Sequence, residues 1–293
     1  MQFSSFSRLG ICLGAALMCT QINAQGSYRG EILFLHSNSE FDTLDSEVNI
    51  LAGTYYFSPV ESDKGPLAES KFLSRSSAAS VILSRSELDG QFGTSLQDSE
   101  SSGYGLSLEI RDPNTPNTVS AGFIKDKIDV ASPIKVSRDL TTTAFALGRY
   151  FSDNFHVDLR FFKLKHHDLP AGWDDMCSYA LASKFVKQLE NGKAYNFEAT
   201  LDRTYDDNNY AKEVNTTFTL EGDYYPNSQF AIGGGLNLNR GDDEDIEGET
   251  LSLRTSYFFS PSLGIQVESD KFYPKKPELS KEKSISATIA LRF

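Results

Sequence analysis

The chain has 293 residues, 28 of them Lys or Arg and 40 Asp or Glu, for a net charge of −12. So acidic a chain lacks the basic footprint of a nucleic-acid binder, and no nucleic-acid partner is expected. It has three cysteines, of which Cys12 and Cys19 fall in the first 24 residues; Cys177 alone cannot form an intrachain disulfide in the remainder.

Residues 1–24 hold one charge, Arg8, then the apolar run LGICLGAALMC, then TQINA with the small residue Ala24 placed before a cut. A basic start, a short apolar stretch and a small-residue site make the pattern of a secretory signal peptide. The apolar stretch is too short for an ordinary membrane-spanning helix. Without residues 1–24 the chain keeps 27 basic and 40 acidic residues. No later apolar run reaches the length of a transmembrane helix, so residues 25–293 are either soluble or embedded as a β-barrel.

Alternation decides between these, because a barrel strand shows one face to lipid and the other to the lumen. Tyr104, Leu106, Leu108 and Ile110 share a face opposite Ser107, Glu109 and Arg111. Tyr195, Phe197, Ala199 and Leu201 oppose Asn196, Glu198 and Asp202, and Val214, Phe218, Leu220 and Tyr224 oppose Asn215, Thr217, Glu221 and Asp223. Phe230, Ile232, Leu236 and Leu238 oppose Asn237 and Asn239; Leu263, Ile265 and Val267 oppose Gln266, Glu268 and Asp270. The pattern predicts an all-β, transmembrane, antiparallel up-and-down barrel of about fourteen strands, with twelve or sixteen as the neighbouring counts. The strands are expected near 28–36, 46–57, 77–86, 101–111, 117–126, 139–151, 154–164, 176–187, 193–203, 212–225, 229–239, 249–259, 262–271 and 283–293. An even count puts both ends of the barrel chain on the periplasmic side.

Aromatic pairs recur just before tight turns, in YYFSPV (55–60), RYFSDN (149–154), DYYPNS (223–228) and YFFSPS (257–262). Turn residues explain the reversals, and the aromatics fit a girdle at the membrane–water boundary. Longer polar stretches at 88–102, 166–175, 240–248 and 273–282 are expected as external loops. Residues 64–75, KGPLAESKFLSR, place Gly65-Pro66 before a small apolar face of Leu67, Phe72 and Leu73. Proline suits a first helical turn, so this segment reads as a short periplasmic helix or folded turn. It is either a structured long turn or a cap that narrows that mouth. Only Gln25 to Ser27 precede the first expected strand, which argues against an N-terminal plug domain.

The four histidines, His36, His156, His166 and His167, form no recognisable catalytic constellation with a serine or acid. No enzyme activity, cofactor or metal is expected. His166-His167-Asp168 reads as a solvated loop, as does Asp242-Asp243-Glu244-Asp245, which lacks the spacing of a dedicated calcium loop.

The last segment, SISATIALRF, alternates most regularly, with Ile285, Ala287, Ile289, Leu291 and Phe293 on one face and Arg292 on the other. With this terminal strand the whole exported chain resembles Gram-negative outer-membrane β-barrel proteins. The resemblance implies that Ile285, Ala287, Ile289, Leu291 and Phe293 are an assembly signal read by the barrel-assembly machinery. YYFSPVESDKGPLAESKFLSRSS (55–77) is similar to porins of Gram-negative bacteria, whose chains carry like Gly-Pro…Ala-Glu…Phe-Leu stretches.

The function expected is a porin-like channel in the outer membrane, reached through the periplasm, for passive diffusion of small hydrophilic solutes. Fourteen strands about 4.8 Å apart and tilted about 40° give a backbone diameter of roughly 28 Å, and a passage of about 10 Å after side chains and inward loops. Pore-lining candidates are Glu31, Glu109, Arg111, Asp158, Arg160, Glu198, Asp202, Glu221, Asp223, Arg254, Glu268, Asp270 and Arg292; Arg29 and Lys184 complete the lumen bases. Nine acids against six bases favour cations modestly, with the surplus expected where Glu198, Asp202, Glu221 and Asp223 face only distant bases. Outer-membrane lipid and lipopolysaccharide are further expected partners, and a homo-oligomer stays open. The rival readings are an adhesive or structural barrel with a closed lumen, and a barrel hydrolase.

Overall fold

In the computed structural model the alternating segments pair edge to edge into one closed sheet. The structure describes residues 26–41, 44–92, 95–112, 114–130, 136–167, 176–208, 211–241, 247–276 and 282–293. The expected signal peptide, Asp168 and the acidic run 242–245 lie outside them. The strands are β1 (Ser27–Phe41), β2 (Leu44–Glu61), β3 (Ala78–Phe92), β4 (Ser95–Arg111), β5 (Asn117–Val130), β6 (Val136–Ser152) and β7 (Phe155–His166). They continue as β8 (Met176–Gln188), β9 (Ala194–Asn208), β10 (Ala211–Tyr225), β11 (Phe230–Gly241), β12 (Gly248–Ser260), β13 (Leu263–Pro274) and β14 (Glu282–Arg292). Each pairs antiparallel with its sequence neighbours, and β14 returns to β1. Closure satisfies every strand's backbone polar groups, which hydrocarbon cannot do.

Register carries the faces from strand to strand. Glu31 stands opposite Arg292 and Thr54, on the inside. Leu83, Leu147, Leu181, Leu253 and Ile285 point outward with half or more of their surface open, as a lipid-facing band requires.

At the seam the Phe293 amide donates to the Gly30 carbonyl (2.9 Å) and the Gly30 amide donates back to the Phe293 carbonyl (2.7 Å). The Phe293 ring covers Gly30 so closely that a Cβ there would lie 2.4 Å from it. Glycine is what allows the ring to lie flat on the strand.

Two expectations about the connections need correcting. The stretch 88–102 is not a long loop: β3 runs to Phe92 and β4 begins at Ser95. The first hairpin likewise extends, with β1 reaching Phe41 and β2 starting at Leu44. Apolar alternation stops where lipid stops, but backbone pairing does not, so polar strands continue beyond the membrane as tall hairpins.

Candidate functional site in the lumen

Between β2 and β3 the chain turns into the barrel instead of crossing to the next strand. Pro66 opens a 3₁₀ turn, Leu67–Glu69, which runs into a single-turn helix, α1 (Ser70–Ser74). Arg75 ends it in the left-handed conformation, φ 52°. Leu67 and Phe72 are buried. Phe72 packs with Tyr150 and Val186, joined by Leu73, while Ala68 packs on Ala194, Tyr225 and Ala231.

Polar contacts tie this segment to much of the wall. Glu69 accepts hydrogen bonds from Asn196 (2.5 Å) and Tyr225 (2.8 Å), and its other oxygen lies 2.8 Å from Lys184 Nζ. Burial by itself would push the Glu69 carboxyl up, but Lys184, Asn196 and Tyr225 together hold it below the ordinary carboxylate range. Arg292 donates to the Leu67 carbonyl (2.8 Å), and Arg111 to the Lys71 carbonyl (3.4 Å). Arg75 donates to Ser152 O (2.9 Å) with its guanidinium over the Tyr150 ring. The Leu67 amide donates to Ser228 O (2.9 Å), and Gln188 to the Lys64 carbonyl. The segment therefore bridges walls that are far apart around the barrel and narrows the mouth at the end that carries the short turns. Above it a cavity of about 430 Å³ remains, lined by Phe72, Arg111, His156, Asp158, Lys184 and Glu198.

The charged candidates fall into two groups. Six acids meet bases: Glu31 with Arg292 (2.6 Å), Glu109 with Arg111 (2.6 Å), Asp158 with Arg160, Glu198 with Lys184 (2.6 Å), and both Glu221 (2.9 Å) and Asp223 (2.7 Å) with Arg254. The other three make no ion pair among the described residues: Asp202 accepts from Ser178 (2.5 Å) and Thr204 (2.9 Å), Asp270 from Ser284 (2.9 Å), and Glu268 from Gln266 (3.5 Å), although Glu268 also stands directly opposite Arg254 in the β12–β13 register. The expectation that Glu198, Glu221 and Asp223 face only distant bases is wrong. Register puts Lys184 directly beside Glu198, and Arg254 reaches across β11, which has Gly233 and Gly235 at that level and no side chains to block it. Arg29 does not join the lumen set; it falls in the bulge between Tyr28 and Gly30, exposed.

Several inward residues were not singled out from sequence. Asp126 joins the inner wall, opposite Gly103. His156 hydrogen-bonds Thr118 (3.0 Å) and lies 3.4 Å from Asp158. Leu33, Leu35, Val48, Ile50 and Ile82 also fall on the inner face by register, so one arc of the wall is apolar. The aromatic pairs split: Tyr55, Phe57, Phe151, Tyr224, Tyr257 and Phe259 point outward, whereas Tyr56, Tyr150, Tyr225 and Phe258 are buried inside. Adjacent strand residues must face opposite ways, so each pair gives one ring to the girdle and one to the interior.

The family model described as Putative general bacterial porin matches residues 11–273. The chain belongs to this porin family. Among solved structures, the porin is similar to the outer-membrane protein Omp33 of Acinetobacter baumannii, with 18% identity and a TM-score of 0.60 over 92% of this chain and 100% of that one. It is similar to the CymD monoaromatic hydrocarbon channel at 11% identity and TM-score 0.57, covering 97% and 92% of the two chains. The toluene transporter TbuX of Ralstonia pickettii aligns at 10% identity and TM-score 0.54, covering 92% of this chain and 90% of that one. At such identities these likenesses speak for the barrel fold alone. No curated protein matches the sequence. Family and fold together make this porin an outer-membrane channel-type barrel of a Gram-negative bacterium.

Proposed function

We propose that this porin passes small hydrophilic solutes down their gradients, with a modest preference for cations, along a lumen narrowed by residues 62–77. The observation that carries the cation preference is the two acids without a basic neighbour among the described residues, Asp202 and Asp270. Acid side chains in a pore favour cations, and a low-dielectric wall focuses their field. The preference fades as salt rises and the Debye length shortens.

The same reading includes export through the periplasm on the signal peptide of residues 1–24, and recognition of the last strand by the barrel-assembly machinery. It assigns no enzymatic chemistry: His156 has Thr118, Asp158 and the Tyr150 ring as neighbours, which makes it part of the wall's packing. The test is the reversal potential of the purified protein in a planar bilayer under a KCl gradient. A potential of cationic sign that shrinks at higher salt is expected. A clear anionic sign would overturn the charge assignment, and absence of any conductance would favour the closed structural barrel.

A further inference from the structure

Lys271 on β13 and Lys283 on β14 are direct cross-strand partners. Both fall on the outward face, in step with Val267 on β13 and Ile285 on β14, whose surfaces are 40% and 62% open. Like charges directly opposite one another destabilise a strand pair. Among the described residues neither ammonium has an ion pair; Lys271 lies over the Tyr273 ring at 5.1 Å, and Glu40, beside Lys283 in the β1 register, makes no salt bridge with it. Elsewhere on this rim base meets acid: Arg85 with Glu87 (2.8 Å) and Glu100 (2.9 Å), Lys125 with Asp139 (3.6 Å), Lys127 with Asp129 (3.0 Å).

Phe293 sits at the short-turn end of β14, and Lys283 lies ten residues back along that strand. At about 3.4 Å per residue and a tilt of about 40°, that is roughly 26 Å along the membrane normal, close to the ~25 Å apolar band of such barrels. The two ammonium groups therefore stand at the level of the outer-leaflet headgroups. Below them the surface is apolar: Leu251 and Leu253 on β12 continue the face made by Val267 and Ile285.

We propose that Lys271 and Lys283 together hold a phosphate of an outer-leaflet glycolipid, the phosphorylated lipid A part of lipopolysaccharide, whose acyl chains lie along Leu251, Leu253, Val267 and Ile285. A phosphate dianion between two ammonium groups turns the repulsion into two charge-assisted hydrogen bonds, and lysine serves as a point-charge phosphate binder. The inference rests on the outer-membrane location and is independent of what the lumen conducts.

The test uses the full chain, refolded into phosphatidylcholine vesicles that contain bisphosphorylated lipid A, dephosphorylated lipid A, or no lipid A but inorganic phosphate in the buffer. The thermal midpoint, read from loss of the heat-modifiable gel band, should rise with bisphosphorylated lipid A only. Lys271→Gln/Lys283→Gln should lose most of that rise; Lys271→Arg/Lys283→Arg and Lys125→Gln/Lys127→Gln should keep it. A full rise in the double Gln variant overturns the proposal. So does an equal rise with dephosphorylated lipid, which would mean acyl packing alone, or with inorganic phosphate, which would mean a simple anion effect. Should the Gln variant fail to fold, lysine acetylation of the native protein decides: Lys271 and Lys283 should be protected in bisphosphorylated vesicles relative to dephosphorylated ones, and equal labelling contradicts the site.

Discussion

Glu69 and Lys184 meet inside the barrel, carboxylate oxygen to ammonium 2.8 Å apart, one from the segment after β2 and the other from β8. Glu69 is 3% exposed, so the contact fastens the segment in a place water barely reaches. Removing one partner of such a pair leaves a buried charge uncompensated. Lys184→Met strands both Glu69 and Glu198 and should cost about 3–5 kcal/mol. Glu69→Gln keeps a similar shape and leaves Lys184 with Glu198, so it should cost less, about 1–3 kcal/mol. The double variant should fall short of the sum. Urea unfolding followed by circular dichroism measures all three; strict additivity would show that the two groups do not interact.

The same pair predicts a pH response. The Glu69 carboxyl lies below the ordinary carboxylate range in the folded protein. Its contribution to anchoring is therefore complete above that range and is lost as pH falls through the lowered folded value. Conductance should rise in acid in the native protein as the segment loosens, and Glu69→Gln should remove that dependence. An acid-induced rise of the same size in Glu69→Gln would assign the response to another group.

Leu236 and Asn237 test the faces. Leu236 stands opposite Leu220 and Leu251 on the outside, while Asn237 donates to Thr219 (2.9 Å) on the inside. Leu236→Arg should cost about 2–4 kcal/mol near the bilayer midplane. Asn237→Arg should cost much less, because its side chain enters the aqueous lumen. Equal losses in a folding titration would contradict the register.

Much of this barrel is legible in the sequence because lipid imposes a period of two on every strand. Fourteen strands and their facing follow from residues such as Leu236/Asn237 and Leu291/Arg292, where a one-residue slip would put a polar group in hydrocarbon. What alternation does not reach is the part of each strand standing in water, such as 88–92 and 95–100. Nor does it reveal partners across strands: Arg254 finds Asp223 only because Gly233 and Gly235 lie between them. The split of the aromatic pairs was available from the period of two, since Tyr55 and Tyr56 cannot both face lipid. The inward-folded segment is marked by Pro66 and the Leu67/Phe72 face, but its depth depends on Tyr150, Asn196 and Tyr225, which no local pattern brings together.

The seam gives a prediction about assembly. A Cβ at residue 30 would collide with the Phe293 ring, so Gly30→Val should displace that ring and weaken the β1–β14 closure. Deletion of Phe293 should be more severe and leave unfolded protein in the periplasm. The amount of heat-modifiable protein in outer-membrane fractions reads both. A normal level of folded protein without Phe293 would refute the assembly role.

Charge variants separate the two acid groups. Asp202→Asn/Asp270→Asn should reduce the cation preference, since neither acid has a basic neighbour among the described residues. Arg254→Gln should increase it, by releasing Glu221 and Asp223. Reversal potentials that move the opposite way in either variant would show that these residues lie off the conducting path.

If residues 62–77 set the narrowest point of a conducting lumen, removing them must widen it. Single-channel conductance in a planar bilayer, compared between the native protein and a form in which residues 63–75 are replaced by Gly-Ser-Gly, tests it most directly. Small native steps are expected, and several-fold larger steps in the shortened protein, both with cationic selectivity. Identical steps in the two proteins, or none in either, would contradict it.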